Sequence, residues 1–399
     1  MNCRELTFEV NGEEGAFEGI VIDLNSLCDC LGQIQDKRKR RGRRYELETV
    51  LLSIVLAKLA GEDRLTGIAE WVAHRAELLS EALGWESKSV PHRVTYSRIL
   101  GYAVDVEEFQ HSVSAYFCDC HKGKGKRVVI CIDGKVLRGT IRTGETQGQH
   151  LLAAFLPDEG WVLMQIEVER TENESTAAVR LLKGLDLRGK IVTGDAAFAQ
   201  RGLSVQIVEA GAEYVWTVKQ NQPQLQEDIA VLFEPPPPTK SGLPCPPMTF
   251  PQEGTVGKAH GRIECRTLEA SNALRGYLDW PYAQQVFRVK RRVVRLADGK
   301  ETEEIVYGIT SLSEKEATPE RLLELVRKHW QIENGLHYRR DETLREDRCH
   351  LRIGKAPRMM AEINNLVLGL LLPNGVRNVP RARRSFAAQL ESWLRDPIV

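Results

Sequence analysis

The sequence lacks an excess of charge of either sign, a long hydrophobic run and a regular set of cysteines. Its 399 residues carry 55 Lys and Arg against 55 Asp and Glu, so the formal net charge is zero. This balance excludes a uniformly basic protein that simply coats nucleic acid. The longest apolar stretches, at 50–60 and 366–372, are interrupted or too short to span a bilayer. An apolar content of 42% is ample for folded cores, which excludes wholesale disorder.

Cysteine is scarce and odd in number, with nine residues spread along the chain. This usage is typical of reduced thiols rather than of a disulfide framework. The clusters at 28–30 and 118–121 have C-x-C spacing, which is tighter than the C-x₂-C of structural zinc sites, so zinc is the weaker alternative. The N-terminus shows no charged-then-apolar signal pattern, and we therefore expect a cytoplasmic protein.

Residues 1–105 are predicted to be helical. Apolar side chains recur at helical spacing over 45–59 and 68–83, and Gly61 can end the first of these helices. Just upstream lies a run of seven basic residues: Lys37, Arg38, Lys39, Arg40, Arg41, Arg43 and Arg44. Such a run is equally typical of a solvated linker. Beside a compact helical unit, we favour an arm that contacts DNA phosphates.

From residue 127 onward the pattern changes to strands. Residues 127–133 form a continuous apolar run, as a central strand covered on both faces requires. Further strands are predicted at 151–156, 161–169, 191–193 and 214–219, and helices at 176–182 and 199–210. This order predicts an α/β fold in which a mixed sheet carries helices on its faces.

A Pro-rich stretch at 235–247 then interrupts the alternation of strands and helices. Strands are predicted beyond it at 263–268, 285–296 and 304–309, with Asp298-Gly299 as a hairpin turn. Helix returns with Thr318 as its cap and Pro319 in its first turn, and continues through Arg340. The β-rich segment therefore looks inserted between a sheet and one of its own helices.

Three carboxylates lie where a strand-and-helix core places functional groups. Asp133 and Asp195 are each predicted to close a strand, and sites in open α/β sheets gather outside the carboxyl ends of strands. Glu333 lies on a helical stripe that begins apolar and becomes polar. Taken singly, each aspartate is better explained as a turn residue and Glu333 as part of a solvated face. Only the three together indicate a site.

Three acids without a strong Cys or His ligand set favour a hard cation, Mg²⁺ or Mn²⁺. Two such ions about 4 Å apart activate a nucleophile and stabilise the leaving oxygen in phosphodiester displacement. Because clustered carboxylates repel one another, we expect the geometry to tighten only when metal and phosphate are present.

Several long motifs resemble those of the H-repeat-associated (ISAs-type) DDE transposases of bacterial insertion sequences. They are IDGKVLRG at 132–139, VTGDA at 192–196, YVWTVKQNQ at 214–222, HWQIENGLHY at 329–338, LREDR at 344–348 and AEINNL at 361–366. The stretch 36–100 is similar to the helical domain associated with that family. The resemblance implies a ribonuclease-H-like catalytic core in which Asp133, Asp195 and Glu333 bind metal. It also implies that the β-rich segment is the insertion that related transposases carry between the second Asp and the Glu.

These observations predict four segments. A helical N-terminal domain spans 1–122, and the catalytic core spans 123–234 and 316–372. The Pro-rich linker and β-rich insertion span 235–315, and a basic tail spans 373–399. The resemblance implies cleavage at the ends of the element and transfer of the 3′-hydroxyl to target DNA. It implies terminal inverted repeats and target DNA as partners, a homodimer in the active complex, no membrane, and a place at the bacterial nucleoid.

DNA contacts are predicted from basic and amide side chains around this core. Broader relatives place Tyr, Arg, Glu and Lys at helical spacing around the catalytic Glu, where this chain has Val326, His329, Glu333 and Arg340. The full set of predicted contacts, beside the basic run, is Lys135, Lys219, Asn221, Gln222, Arg291, Arg292, His329, His337 and Arg340. A non-catalytic relative that only binds DNA, and a nuclease that cuts but never joins, are the alternatives.

Overall fold

The computed structural model describes residues 5–8, 20–83, 89–120, 127–234, 248–259 and 261–395; the Pro-rich stretch at 235–247 lies outside them. The strands are β1 (Glu5–Phe8), β2 (Ile20–Asp23), β3 (Val129–Leu137), β4 (Gln149–Leu156), β5 (Trp161–Val168), β6 (Ile191–Gly194), β7 (Glu213–Val218), β8 (Gln252–Ala259), β9 (Arg262–Ser271), β10 (Gln285–Arg295) and β11 (Glu301–Thr310). The helices are α1 (Leu24–Gly32), α2 (Leu47–Leu59), α3 (Leu65–His74), α4 (Ala76–Leu83), α5 (Arg93–Arg98), α6 (Val106–Cys120), α7 (Glu174–Lys183), α8 (Arg201–Glu209), α9 (Pro223–Phe233), α10 (Pro319–Gln331), α11 (Ala356–Leu371) and α12 (Val379–Arg395). Within this described part of the chain, no helix is long and apolar enough to cross a membrane.

The chain divides into two compact units, each of which uses more than one stretch of sequence. The first unit comprises Met1–Lys124, Gly134–Glu167 and Glu333–Val399, and the second comprises Gly125–Asp133 and Val168–Ile332. The units do not follow the four segments expected from the sequence, so that division stays a prediction.

The second unit is built on a mixed sheet, as predicted. Its strands lie in the order β3-β6-β7-β11-β10-β9-β8. The pairs β3·β6 and β6·β7 are parallel, whereas β7·β11 and the pairs beyond it are antiparallel. All four residues of β6 are buried, which explains why the central strands are apolar without alternation. The β-rich segment therefore extends the sheet of the core through β11.

The prediction that Asp133 closes its strand is wrong, because β3 continues to Leu137. Pairing of β3 with β6 ends at Ile132, and beyond that point the strand alternates, with Lys135 and Leu137 buried and Val136 exposed. The Asp-Gly pair looked like a turn because a single sequence does not show that the strand continues after its parallel neighbour has ended.

The first unit is mainly helical and has two long buried helices. Nearly every residue of α2 from Leu47 to Leu59 is buried, and so is nearly all of α11. Helices that are buried on nearly all sides lie in the middle of a core. The predicted basic tail contains α12, whose Ala382 and Phe386 are buried.

Two details of the N-terminal region differ from the helical prediction. The strands β1 and β2 pair with each other in antiparallel fashion. The pattern of β2, with Ile20 and Ile22 buried and Val21 exposed, has the period of two that a strand requires. The predicted helix over 68–83 is two helices, because the chain leaves helical geometry at Arg75.

Candidate functional site

Asp133 and Asp195 lie at the same level of two neighbouring parallel strands. Ile132 of β3 is paired with Gly194 of β6; Asp133 is the next residue within β3, and Asp195 directly follows the last residue of β6. Adjacent strands lie about 4.8 Å apart, so the two residues are close, and the charge of Asp133 acts on Asp195. The predicted proximity of these two acids is thus present within the second unit.

The carboxylate of Asp195 lies in a negative environment. Its Oδ1 accepts a hydrogen bond from the Ala197 backbone N–H at 2.9 Å, in a short 3₁₀ turn. Burial raises the pKa of Asp195 above its ordinary value of 3.8, and the carboxylates of Asp133 and Glu174 raise it further; the Ala197 N–H and Lys219 act in the opposite direction. A cation bound here would relieve this repulsion.

Glu174 is a member of this charged group that the sequence did not reveal. It is the first residue of α7, which begins two residues before the predicted start at 176, and the cap Asn173 accepts from the Thr176 backbone N–H at 2.9 Å. An acid in the first turn of a helix is common because it complements the helix dipole. The sequence pattern therefore had an ordinary explanation and gave no sign of proximity to Asp195.

The C-terminal end of α10 packs on β3 and β6 close to the two aspartates. The Cys131 Sγ–H donates to the Lys328 carbonyl at 3.5 Å, and Thr193 Oγ1 lies 3.4 Å from His329 Nδ1. Cys131 and Thr193 each precede an aspartate by two residues. Burial lowers the pKa of His329 to about 4 although Asp133 opposes the shift, so the imidazole is neutral at pH 7. A buried neutral imidazole is not offered to a DNA phosphate in this structure.

Glu333 follows α10 by two residues and belongs to the first unit. Its side chain is exposed. The predicted continuous α-helix through Arg340 is wrong in part, because α10 ends at Gln331 and π-helical turns follow over Ile332–His337 and Arg339–Thr343. Asn334 and Gly335 are weak helix formers, which fits the change. Such π segments are frequent at functional sites.

Asp133 and Asp195 fit a hard cation, since carboxylate oxygens are the ligands that Mg²⁺ and Mn²⁺ prefer. Among the described residues, no group of three His, Cys, Asp or Glu side chains is arranged to hold a metal ion. Of the C-x-C clusters, Cys28 and Cys30 are buried, and the cluster at 118–121 lies partly outside the described residues.

The two predicted amide contacts support the loop after Asp195. Asn221 Nδ2 donates to the Ala196 carbonyl at 2.5 Å, and Gln222 Nε2 donates to the Ala199 carbonyl at 3.0 Å. Lys219 is exposed at the end of β7, and its charge lowers the pKa of Asp195. In this structure the amides fix the backbone beside the aspartate, and the lysine supplies a nearby positive charge.

Lys135 and Arg340 are buried in the first unit and paired with acids. The Lys135 ammonium pairs with Asp341 and lies 3.4 Å from Asp347. Arg340 is fully buried; its Nε donates to both carboxylate oxygens of Glu346 at 3.0 Å, and its Nη1 donates to Gln165 at 2.6 Å. These cations hold the fold and are not presented to DNA here. His337 is half-buried within the π-helical turn.

The predicted basic face of the insertion is largely neutralised by acids on adjacent strands. Arg291 pairs with Glu264 on β9 and lies 3.3 Å from Glu304 on β11. Arg292 pairs with Glu301 at 2.7 Å. Arg291 also lies over the ring of a tryptophan on α10, 5.7 Å from the centroid of Trp330.

The basic run at 37–44 is partly held by its own surroundings. Arg38 pairs with Asp36 at 2.8 Å, and Arg43 donates to the Asp36 carbonyl at 2.7 Å. Arg44 donates to Ser89 at 2.9 Å. The exposed members of the run include Arg40 and Arg41. Several side chains of the run are therefore held by local partners, and DNA binding by the run stays a prediction.

Comparison with known proteins reveals similarity to one family. A profile described as Transposase DDE domain matches residues 124–369, and a profile described as DDE_Tnp_1-associated matches 28–117. The H repeat-associated candidate transposase YhhI of Escherichia coli K12 is 27% identical over 93% of this chain and 96% of its own length. The candidate transposase YncI of E. coli O157:H7 is 28% identical over 88% of each chain. A piggyBac transposase synaptic complex with hairpin DNA covers 91% of this chain and 77% of its own at 12% identity; its TM-score of 0.42 is too low to support an argument.

Proposed function

Because the chain belongs to the DDE transposase family, we propose that Asp133, Asp195 and Glu333 are the residues with which it cuts and joins DNA. The protein is an insertion-sequence transposase, and enzymes of this family depend on a divalent metal. The observation that carries the residue assignment is the register of β3 and β6, which sets the two aspartates side by side.

Glu333 is proposed as the third acid from its place in the chain. The transposase domain match covers residues 124–369 and therefore includes Glu333 together with the two aspartates. Glu333 follows α10 by two residues, and its carboxylate is exposed. These observations support its assignment as the third acid.

The proposed chemistry uses two Mg²⁺ or Mn²⁺ ions, which would activate the attacking oxygen and stabilise the leaving oxygen. The carboxylates of Asp133, Asp195 and Glu333 would hold them. Asn221 and Gln222 fix the loop after Asp195, so that its carboxylate is oriented before the substrate arrives. His329 contacts Thr193 and is neutral at pH 7, so it would not compete with the metal ions as a cation.

The proposal extends to the fold of the catalytic core and to the DNA that the protein binds. We assign the sheet β3-β6-β7 with its helices to a ribonuclease-H-like core, since it has central parallel strands that carry acids. We place the protein on DNA at the nucleoid, where two copies would bind the two terminal inverted repeats and direct them to a target.

Strand transfer distinguishes this function from that of a simple nuclease. The purified chain with element-end duplex DNA and Mg²⁺ should give cleaved ends and also a product in which the 3′ end is joined to a second DNA. The measurement is gel separation of labelled strands, with EDTA as control. Cleavage without joined product would favour the nuclease, and binding without cleavage would favour a non-catalytic relative.

The raised pKa of Asp195 predicts that the metal-free protein loses folding stability as the pH rises. A carboxyl that is harder to ionise when folded favours the folded state at low pH, and this contribution is lost as the pH rises through its raised pKa. Asp195→Asn keeps an acceptor for the Ala197 N–H and removes the charge. In EDTA, the variant should therefore gain stability over the parent progressively as pH rises from 3 to 7.

Thermal unfolding at a series of pH values measures this difference. Asp186→Asn is the matched control, because Arg188 donates hydrogen bonds to Asp186 and holds its pKa below the usual range. That control should show no gain at neutral pH. An Asp195→Asn variant that is less stable than the parent at pH 7 would contradict a repulsive site.

A further inference from the structure

A groove in the first unit lies between the N-terminal helices and the segment that follows the π-helical turn at Arg339–Thr343. Its volume is about 390 Å³. One wall comes from the start of α3 and from α5, and the other comes from the chain at 348–353. All of these residues belong to the first unit. The sequence did not indicate this site, because its two walls are about 250 residues apart in the chain.

The polar lining of the groove is strongly basic. It contains the guanidinium groups of Arg64, Arg93, Arg348 and Arg352 together with His350, and no Asp or Glu is part of the lining. Arg64, Arg93 and Arg348 are exposed, and none of them has an ion-pair partner among the residues that the structure describes. This differs from the basic run and the insertion, where acids pair with many of the arginines.

The acids next to Arg348 in sequence face other partners, and Asp63, next to Arg64, pairs with Arg383. Glu346 is buried against Arg340, and Asp347 lies near Lys135 and Arg138. The chain at 346–348 forms a short 3₁₀ turn, so the side chain of Arg348 can face away from these acids. The positive charge of the groove is therefore left without a counter-charge from its own loop.

Backbone contacts hold the second wall in place. The Lys355 backbone N–H donates to the Gly101 carbonyl at 3.1 Å, where α5 passes into a π-helical turn. A Cβ on Gly139 would lie 2.1 Å from the Cys349 carbonyl oxygen, so this close approach requires glycine. The Arg352 Nη2 donates to the Ile141 carbonyl at 2.8 Å, which orients that guanidinium. The groove is thus a fixed feature of the fold.

We propose that this groove binds the phosphodiester backbone of DNA. The inference rests on the proposed function, which makes DNA the substrate. Guanidinium groups are suited to phosphate oxygens, because their planar donors form paired hydrogen bonds. The lining also contains Leu65, Val94 and Leu351, which provide apolar contact for the sugars between phosphates. A strand with regularly spaced charges matches several separate guanidinium groups better than a single small anion does.

The test compares two double variants of the full-length chain. Arg64→Gln/Arg93→Gln removes two charges from the groove, and Arg170→Gln/Arg188→Gln removes two exposed charges from the second unit. Affinity for element-end duplex DNA is measured in EDTA over a range of salt concentrations. At low salt the groove variant should bind DNA about tenfold or more weakly than the parent. The magnitude of the slope of log association constant against log salt concentration should decrease by about 1 to 2. The control should keep the slope of the parent.

The same affinities are also measured with a duplex of unrelated sequence. Equal loss on both duplexes is expected, since phosphates carry no sequence information. Retention of affinity and slope by Arg64→Gln/Arg93→Gln, or an equal loss in the control, would overturn the proposal. Arg348→Gln, on the opposite wall, should reproduce the loss. The binding assay contains no metal, so a parent that binds through the groove but never cleaves would refute the proposed function alone.

Discussion

Asp133→Ala and Asp195→Ala should each lower the rate of strand cleavage at element ends by about a thousandfold or more. A carboxylate that holds a catalytic metal ion supports several kcal/mol of transition-state stabilisation, and each 1.36 kcal/mol corresponds to a factor of ten in rate. The two residues lie at one level of paired strands, so the loss of either removes a ligand from the same site. Glu333→Gln should show the same loss if it is the third ligand.

The controls separate chemistry from folding and binding. Asp186→Asn removes an exposed acid of the second unit and should cleave like the parent. DNA affinity in EDTA should remain within a few-fold of the parent for all the acid variants, since DNA contacts are expected from basic side chains. Cleavage by Asp133→Ala or Asp195→Ala at the parental rate would refute the site. If Asp133→Ala and Asp195→Ala lose cleavage but Glu333→Gln does not, Glu333 is not part of the site.

Arg340→Met should destabilise the protein by about 3–5 kcal/mol. Arg340 is fully buried, and its guanidinium is the main partner of the buried Glu346 carboxylate. Burial raises the pKa of Glu346, but Arg340 and Lys135 together hold it below its usual value. Removal of one partner of a buried pair leaves an uncompensated charge, which costs this much. Chemical denaturation followed by fluorescence measures the change in the free energy of unfolding.

The neighbouring arginine offers a matched control for this pair. Arg339 is only partly buried and donates a long hydrogen bond of 3.5 Å to the Arg377 carbonyl. Arg339→Met should therefore cost about 1 kcal/mol or less. Arg340→Met/Glu346→Gln should recover part of the loss, since the unpaired charge is gone. Equal effects of Arg339→Met and Arg340→Met would contradict a structural role for the buried pair.

Local signals in the sequence predicted much of the fold. The hairpin at Asp298-Gly299 was evident from its turn residues, and Gly299 has the positive φ that such a turn requires. Thr318 caps α10 by accepting from the Arg321 backbone N–H at 3.4 Å, as its position before Pro319 indicated. The continuous apolar run at 127–133 correctly predicted a buried central strand, and the strand predicted at 191–193 is β6, with which it pairs.

Features that depend on distant residues were not predictable in this way. The insertion looked basic because the acids that neutralise Arg291 and Arg292 lie on neighbouring strands. Arg340 looked like a phosphate contact because the sequence does not show that it is buried against Glu346. The basic groove requires the approach of Gly101 and Gly139 to the chain at 349–355, and no local pattern specifies those contacts. A basic residue can be assigned to DNA binding only when the structure shows whether an acid already pairs with it.

Metal-directed cleavage of the protein backbone tests whether Asp133, Asp195 and Glu333 bind the metal. Fe²⁺ prefers oxygen and nitrogen ligands and can replace Mg²⁺ at a carboxylate site. With ascorbate and peroxide, bound Fe²⁺ generates radicals that cut the chain next to the metal, and mass spectrometry locates the cuts. We expect cuts beside Asp133 and Asp195 and a further cut near Glu333. Excess Mg²⁺ should suppress all of them, and Asp133→Asn/Asp195→Asn should show none. Cuts that leave 130–136 and 192–198 intact, or that persist in the double variant, would contradict metal binding at this site.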